Sequence, residues 1–169
     1  WWAFLLVLAL GIAVSARIVT LGDSVQAVNR VFIAEKLPLS YSIGELRGAI
    51  ADSERLLYEY YSYTATRSAF QTQRVQNDLR LNRIVAELEK DSVSHAQVTA
   101  LRSRLVELGK LADDLAATLA SGQIDWDKAR ALLAQIKPKV RQIEQVLASI
   151  SAANQQAVDA LGNSSQDSV

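Results

Sequence analysis

The residues best suited to chemistry are an aromatic tract and two arginines that follow it. Four tyrosines fall within residues 58–63, and Arg67 and Arg74 come next, one heptad apart. Arginine beside tyrosine rings suits a carboxylate, or the acidic and aromatic groups of a partner protein. We therefore predict a ligand-binding surface made by Tyr60, Tyr63, Arg67 and Arg74. The alternative is that the rings pack at one end of the fold with their hydroxyls in water.

No set of residues predicts catalysis. His95 is the one histidine, and it lies beside an expected helix start, where a solvated role is more common than a catalytic one. The pairs Asp113-Asp114 and Asp125-Asp127 do not converge as metal ligands, because neighbouring residues on a helix do not face each other. The chain has no cysteine. We predict no enzyme activity, no metal and no cofactor.

Overall charge argues against a nucleic-acid partner. Lysine plus arginine and aspartate plus glutamate number 18 each, so the formal net charge is zero. A nucleic-acid-binding domain usually carries a basic excess on one face. Nucleic acid is therefore not an expected partner.

The first sixteen residues carry no charge, and the apolar pattern continues through Leu21, interrupted only by Arg17 and Thr20. A membrane-spanning helix needs ~20 mostly apolar residues. We predict a transmembrane helix over residues 1–21, in contact with lipid. A cleaved signal peptide and a buried core helix are the alternatives. Helical periodicity continues through Val25 and Val28, with no turn residues at the expected cleavage point after Ala16, which favours an uncleaved anchor continuous with the next helix.

Four helical segments follow, separated by short polar breaks. Apolar residues recur at helical spacing in each segment, and only two prolines and seven glycines occur in the whole chain. The expected buried stripe of the first segment is Leu39, Ile43, Leu46, Ile50, Ser53, Leu57, Tyr60 and Thr64, and that of the second is Leu79, Leu81, Ile84, Val85 and Leu88. Thr66 or Ser68 is expected to restart the chain after the first segment. Ser68 and Ser94 fit capping boxes, Asp125 is expected to cap the fourth helix, and Gly122 is expected to end the third in a left-handed conformation.

The predicted fold class is all-α: an antiparallel up-down-up-down four-helix bundle with an N-terminal transmembrane helix. The expected bundle covers residues 22–162. Gly162 to Ser165 is expected to break the last helix and open a linker over residues 163–169. Ser53, on an otherwise apolar stripe, is expected to fix register or to line a small polar cavity.

This layout resembles the four-helix-bundle sensor domain of bacterial chemoreceptors and related transmembrane signalling proteins. The resemblance rests on the apolar N-terminal helix, on Leu37-Pro38 followed by Ile43-Gly44-Glu45-Leu46-Arg47, and on three further helices that return the chain to the membrane. It implies a second membrane helix after the fourth segment and an output module beyond it. It also implies a parallel homodimer in the bacterial inner membrane, with the bundle in the periplasm.

The expected function is therefore sensory. Binding of a small anionic ligand or a periplasmic binding protein would displace a helix and relay the signal across the membrane. Two other hypotheses stay open at this point. One is a membrane-anchored structural or adaptor bundle with no signalling role, and the other is a secreted bundle released by signal cleavage.

Overall fold

The computed structural model describes residues 37–90 and 93–166, with side chains described as far as Ala160. This part of the chain consists of four α-helices and no strand. They are α1 (Leu37–Tyr61), α2 (Arg67–Lys90), α3 (His95–Ala120) and α4 (Trp126–Gln166). The prediction of an all-helical four-helix bundle is confirmed for these residues.

Two compact units divide the chain. Residues 39–153 form one unit and hold the hydrophobic core, and residues 1–38 and 154–169 form the other. In the second unit, the described portion of α4 carries an amide-to-carboxylate hydrogen bond from Gln155 Nε2 to Asp159 Oδ1 (2.9 Å).

The transmembrane prediction for residues 1–21 lies outside the described residues. Within residues 37–90 and 93–166, no helix combines the length and the apolar character needed to cross a membrane.

Most core residues lie at apolar positions that recur at helical spacing in the sequence, whereas Leu79 is exposed and Phe70 is buried without having been predicted to be. Apolar side chains at those positions lose their contact with water on folding, which is the main force holding the helices together. The largest side chains that are less than 2 % exposed come from all four helices: Phe70, Leu46, Ile50, Ile84, Leu88, Leu101, Leu115, Ile136, Ile143, Leu147, Ile150 and Val98.

Side-chain contacts tie each helix to the next, and α4 back to α1. In each pair of helices, the contacting residue numbers rise along one helix and fall along the other. Helices α1 and α2 meet through Glu45–Arg83 (3.1 Å) and Tyr60–Phe70 (ring centroids 4.2 Å), and α2 and α3 meet through Arg74–Asp113 (2.6 Å) and Glu89–Arg102 (2.7 Å). Helices α3 and α4 meet through Glu107–Lys139 (2.7 Å) and Gln97–Ser149 (3.4 Å). Helices α1 and α4 meet through Arg47–Glu144 (3.1 Å) and Tyr61–Trp126 (ring centroids 6.2 Å).

Those contacts place the turn after α1 and the turn before α4 at the same end of the unit. Tyr61 ends α1 beside Trp126, the first residue of α4. Arg47 and Glu144 meet farther along both helices, toward Leu39 and Ala153. The unit therefore has a turn end, near Trp126, and an opposite end at which Leu39 enters and Ala153 leaves.

Several expectations about helix ends are wrong. Thr66, not Ser68, caps α2, since Thr66 Oγ1 accepts from the amide of Ala69 (3.2 Å). Ser94 precedes α3 but makes no side-chain capping bond, and the Gln97 side chain donates to Ser149 Oγ (3.4 Å). The expected cap at Asp125 is confirmed by its Oδ1, which accepts from the amide of Lys128 (2.9 Å).

The third and fourth helices also end differently from the prediction. Ser121 is extended, and Gly122 does not adopt a positive φ. The α4 helix runs to Gln166, through the Gly162 to Ser165 stretch that was expected to break it. Elongating a long existing helix adds one hydrogen bond per residue, which offsets a glycine penalty of about 1 kcal/mol.

The α1–α2 turn contains a tyrosine where glycine is usual. Thr64 donates its amide to the Glu59 carbonyl (3.0 Å) and Tyr63 to the Tyr60 carbonyl (3.2 Å), which is the Schellman pattern. Tyr63 takes the left-handed position of this motif with φ of 57°, a conformation that is costly for a residue with a Cβ. Its ring lies against Trp126 (centroids 5.9 Å).

This backbone predicts an ordering of two variants at position 63. Tyr63→Gly should be more stable to urea than Tyr63→Ala by about 1 kcal/mol, because both lose the ring and only alanine keeps the left-handed penalty. Urea unfolding followed by circular dichroism measures the difference. Equal stability would show that the turn relaxes out of the left-handed conformation.

Candidate functional site

A depression of about 510 Å³ opens between α2 and α3 near the turn end of the bundle. Its size lies within the range of small-molecule sites, which is about 300–1,000 Å³. Three of the four predicted binding residues line it: Tyr60, Arg67 and Arg74. The remaining lining residues are Phe70, Gln71, Val75, Asp78, Asp113, Ala116, Ala117 and Ala120.

Tyr60 and Phe70 form the apolar floor of the depression. Their rings stack at a centroid distance of 4.2 Å with an interplanar angle of 16°. Both residues are buried. The position of Tyr60 on the apolar stripe of α1 brings its ring inward, so it supports the site by packing.

Arg74 is the best-positioned polar group of the site. Its guanidinium donates to Asp113 Oδ1 (2.6 Å) and to the Gly109 carbonyl (3.2 Å) on α3, and it lies 3.7 Å from Asp78 Oδ2 on its own helix. The side chain is 21 % exposed. Planar guanidinium groups favour this kind of multiple acceptor arrangement. Arg74 therefore cross-links α2 to α3 and does not stand open to solvent.

Arg67 is the opposite case. It is the first residue of α2 and is exposed at the rim of the depression. Among the described residues, none forms an ion pair or a hydrogen bond with its guanidinium. Its charge is available to a ligand.

Tyr63 lies apart from the other three predicted residues. It does not line the depression, and 59 % of its surface is exposed beside Trp126. The heptad pattern could not place it, because Tyr63 follows the end of α1 and takes its direction from the left-handed turn.

Two carboxylates in the depression were not predicted as site residues. Asp78 and Asp113 share the single guanidinium of Arg74. Burial raises the pKa of Asp78 above its ordinary value of 3.8, Arg74 opposes this, and repulsion from Asp113 adds to it. The sequence shows Asp113 as part of the Asp113-Asp114 pair, but from the sequence that pair suggested only a metal site.

The raised pKa of Asp78 predicts a pH-dependent stability difference for Asp78→Asn. A carboxyl group with a folded pKa above the unfolded one is fully favourable below the unfolded pKa, and that contribution is lost as pH rises through the folded pKa. The variant should therefore match the wild type near pH 3 and exceed it at pH 7. Thermal unfolding across this range measures the gap, and a gap that narrows with rising pH would contradict the assignment.

A polar contact inside the bundle adjoins the depression. Asn77 Nδ2 on α2 donates to the Ala49 carbonyl (2.8 Å) and to Ser53 Oγ (2.6 Å) on α1. A cavity of about 40 Å³, large enough for about one water molecule, lies beside this pair. The hydrogen bond from Asn77 is of the kind expected if Ser53 fixes register, whereas the cavity beside Ser53 is lined mostly by apolar residues and is not the small polar cavity that was expected. Asn77 was missed, because its partner could not be known without the register of α1 and α2.

In the part of the chain that the structure describes, no residues are arranged as a metal site or as a histidine-based catalytic site. No group of three or more histidine, cysteine or acidic side chains converges there. His95 is exposed at the start of α3.

Comparison with known proteins returns no relative. No protein-family model, curated protein or solved structure matches the chain. Function is therefore inferred from the residues of the chain itself.

Proposed function

We propose that this chain is the extracytoplasmic sensory domain of a two-pass bacterial membrane signal transducer. In this proposal the four helices form an up-down-up-down bundle that stands in the periplasm on the inner membrane. Residues 1–21 are the first membrane helix, and a second follows the fourth bundle helix. An output module would lie beyond that second helix.

One observation carries the proposal: the chain enters and leaves residues 39–153 at the same end of that unit. The depression lies toward the other end, near Tyr60 and Arg67. A sensor needs a stimulus site that is separate from the elements that transmit the response, and a link between the two. Helices α1 and α4 supply that link, since each runs the length of the unit.

Signalling further requires two packings that a stimulus can bias. The α1–α4 contact through Arg47 and Glu144 is a half-exposed ion pair, and such pairs contribute at most about 1 kcal/mol. Sliding or tilting of α1 against α4 would cost little at this contact. A parallel homodimer is part of the proposal, as the resemblance implies, and Tyr41 and Tyr58 are exposed aromatic side chains on α1 that a second copy could contact.

The alternative is a membrane-anchored adaptor bundle that docks a partner and transmits nothing. The adaptor would have the same membrane anchor and the same four-helix bundle, but its helices would have only one packing. The two proposals differ in whether binding moves α1 against α4.

Cysteine labelling tests the location of the bundle. The chain has no cysteine, so Ser68→Cys at the exposed start of α2 supplies a single reactive thiol. A membrane-impermeant maleimide should label this variant in intact bacterial cells, in the membrane fraction. Ala96→Cys, exposed at the start of α3, should label equally if the whole bundle lies outside.

Labelling that appears only after cell lysis would contradict the periplasmic location. A labelled protein that leaves the membrane at high pH would favour the secreted alternative. Absence of label on an endogenous cytoplasmic thiol protein is the control for intact cells.

A further inference from the structure

The charges of the depression are divided between its two ends. At the inner end, one guanidinium serves two carboxylates, because Arg74 contacts both Asp113 and Asp78. At the rim, Arg67 has no acidic partner among the described residues. One end of the depression therefore has a surplus carboxylate and the other a surplus cation.

The surplus carboxylate is accessible. Asp113 engages Arg74 through Oδ1, and its side chain is 69 % exposed. Asp78 is 53 % exposed, and its pKa is raised mainly by burial, with a further contribution from the neighbouring negative charge of Asp113. A cationic group placed between Asp113 and Asp78 would offset that charge. A simple anion placed near Arg74 would meet both carboxylates instead.

The spacing of the charges sets the length of a ligand. Asp113 and Asp78 both lie at the guanidinium of Arg74, which is seven residues from Arg67 on α2, so the carboxylates and Arg67 are about 10.5 Å apart along the helix. An extended peptide rises ~3.4 Å per residue, so the two termini of a tripeptide are about 10 Å apart. A free amino acid, whose charges lie on neighbouring carbons, is too short to reach both ends.

We propose that the depression binds a short zwitterionic peptide of about three residues, its ammonium group at Asp113 and Asp78 and its carboxylate at Arg67. Apolar side chains of Val75, Ala116 and Ala117 face the space between these ends and would contact the peptide's side chains. This assignment names the stimulus of the sensory function proposed above and rests on that proposal for its physiological meaning. Binding of the peptide can be measured whether or not the protein has a sensory function.

Calorimetry with trialanine and its end-blocked forms tests the assignment. Trialanine should bind the full chain, and L-alanine should not. The C-terminal amide and the N-acetyl form should each bind about fivefold more weakly, which is the scale of one exposed ion pair. The doubly blocked peptide should be the weakest of the four.

Two variants make the test specific to the residues. Arg67→Gln should abolish the difference between trialanine and its amide while leaving the N-acetyl penalty intact. Asp113→Asn should do the reverse. Arg130→Gln and Asp114→Asn, which change exposed residues of the same types outside the depression, should leave both penalties unchanged.

The assignment fails if trialanine shows no binding to the wild type, or if the blocked peptides bind as well as trialanine. It also fails if the two variants lower all affinities alike. Failure of the sensory proposal looks different: trialanine would bind with the expected pattern while maleimide labelling placed Ser68→Cys in the cytoplasm.

Discussion

Phe70→Ala is expected to lower the free energy of unfolding by about 3–5 kcal/mol, the range measured for buried aromatic residues truncated to alanine. Phe70 is 2 % exposed and stacks on Tyr60. Truncation removes its buried surface, leaves a cavity and ends the ring contact. Urea unfolding followed by far-UV circular dichroism measures the loss.

Val75→Ala on the same helix is the control for Phe70→Ala. Val75 is 59 % exposed, and its truncation should change the free energy of unfolding by less than about 0.5 kcal/mol. A Phe70→Ala variant as stable as Val75→Ala would show that α1 and α2 do not pack through the Tyr60–Phe70 stack.

Leu101→Ala is the second substitution with a large expected effect, and Leu79→Ala is its matched partner. Leu101 on α3 is fully buried, whereas Leu79 on α2 is 66 % exposed. The same truncation should therefore cost about 2–5 kcal/mol at Leu101 and less than about 0.5 kcal/mol at Leu79. Calorimetric melting of the two variants side by side gives the comparison.

Leu79 is informative because the periodic pattern on α2 predicted it to be buried. If Leu79→Ala lowered stability as much as Leu101→Ala, the prediction that Leu79 is buried would be correct after all. The error has a physical cause: α2 is the most polar helix, so its apolar stripe is short and two alternative faces fit the first apolar residues. The neighbours Leu81, Ile84, Val85 and Leu88 are buried as predicted.

Where the apolar period is strong, as on α1 and α3, the pattern alone predicted burial. Leu39, Ile43, Leu46 and Ile50 are all buried at heptad spacing. Period and amphipathicity are local properties, so a single sequence contains them. The same holds for the Asp125 cap, which needs only one side chain and the next turn.

The candidate site was predictable only in outline. The Tyr/Arg pattern located one end of the bundle and three residues that line the same depression. It could not show that Arg74 is already bonded to Asp113 and Gly109, because that contact depends on the register between α2 and α3. Nor could it show that Tyr63 points toward Trp126, since a non-glycine residue in a left-handed turn departs from the local rule.

The structural consequence is a site with balanced charges instead of an open cationic surface. Arg74 holds α2 to α3, and of the two arginines that line the depression only Arg67 has no acidic partner among the described residues. A ligand that satisfies both ends would also add contacts across α2 and α3. Such contacts shift a two-state bundle only as far as the ligand binds one packing more tightly than the other.

The measurement that tests the central claim most directly is the distance between α1 and α4 at the end where the chain enters and leaves residues 39–153. Spin labels at Tyr41→Cys and Ala152→Cys, both exposed, report this distance by pulsed electron resonance. The protein would be reconstituted in membranes and diluted with unlabelled chains, so that only pairs within one chain contribute. Labels at Asn82→Cys on α2 and Ser103→Cys on α3 form the reference pair.

With trialanine present at saturation, the α1–α4 distance should shift by about 1–2 Å, the scale of helix displacements in signalling proteins, while the reference pair stays unchanged. Trialanine that binds and leaves the α1–α4 distance unaltered would contradict the sensory account and favour the adaptor bundle.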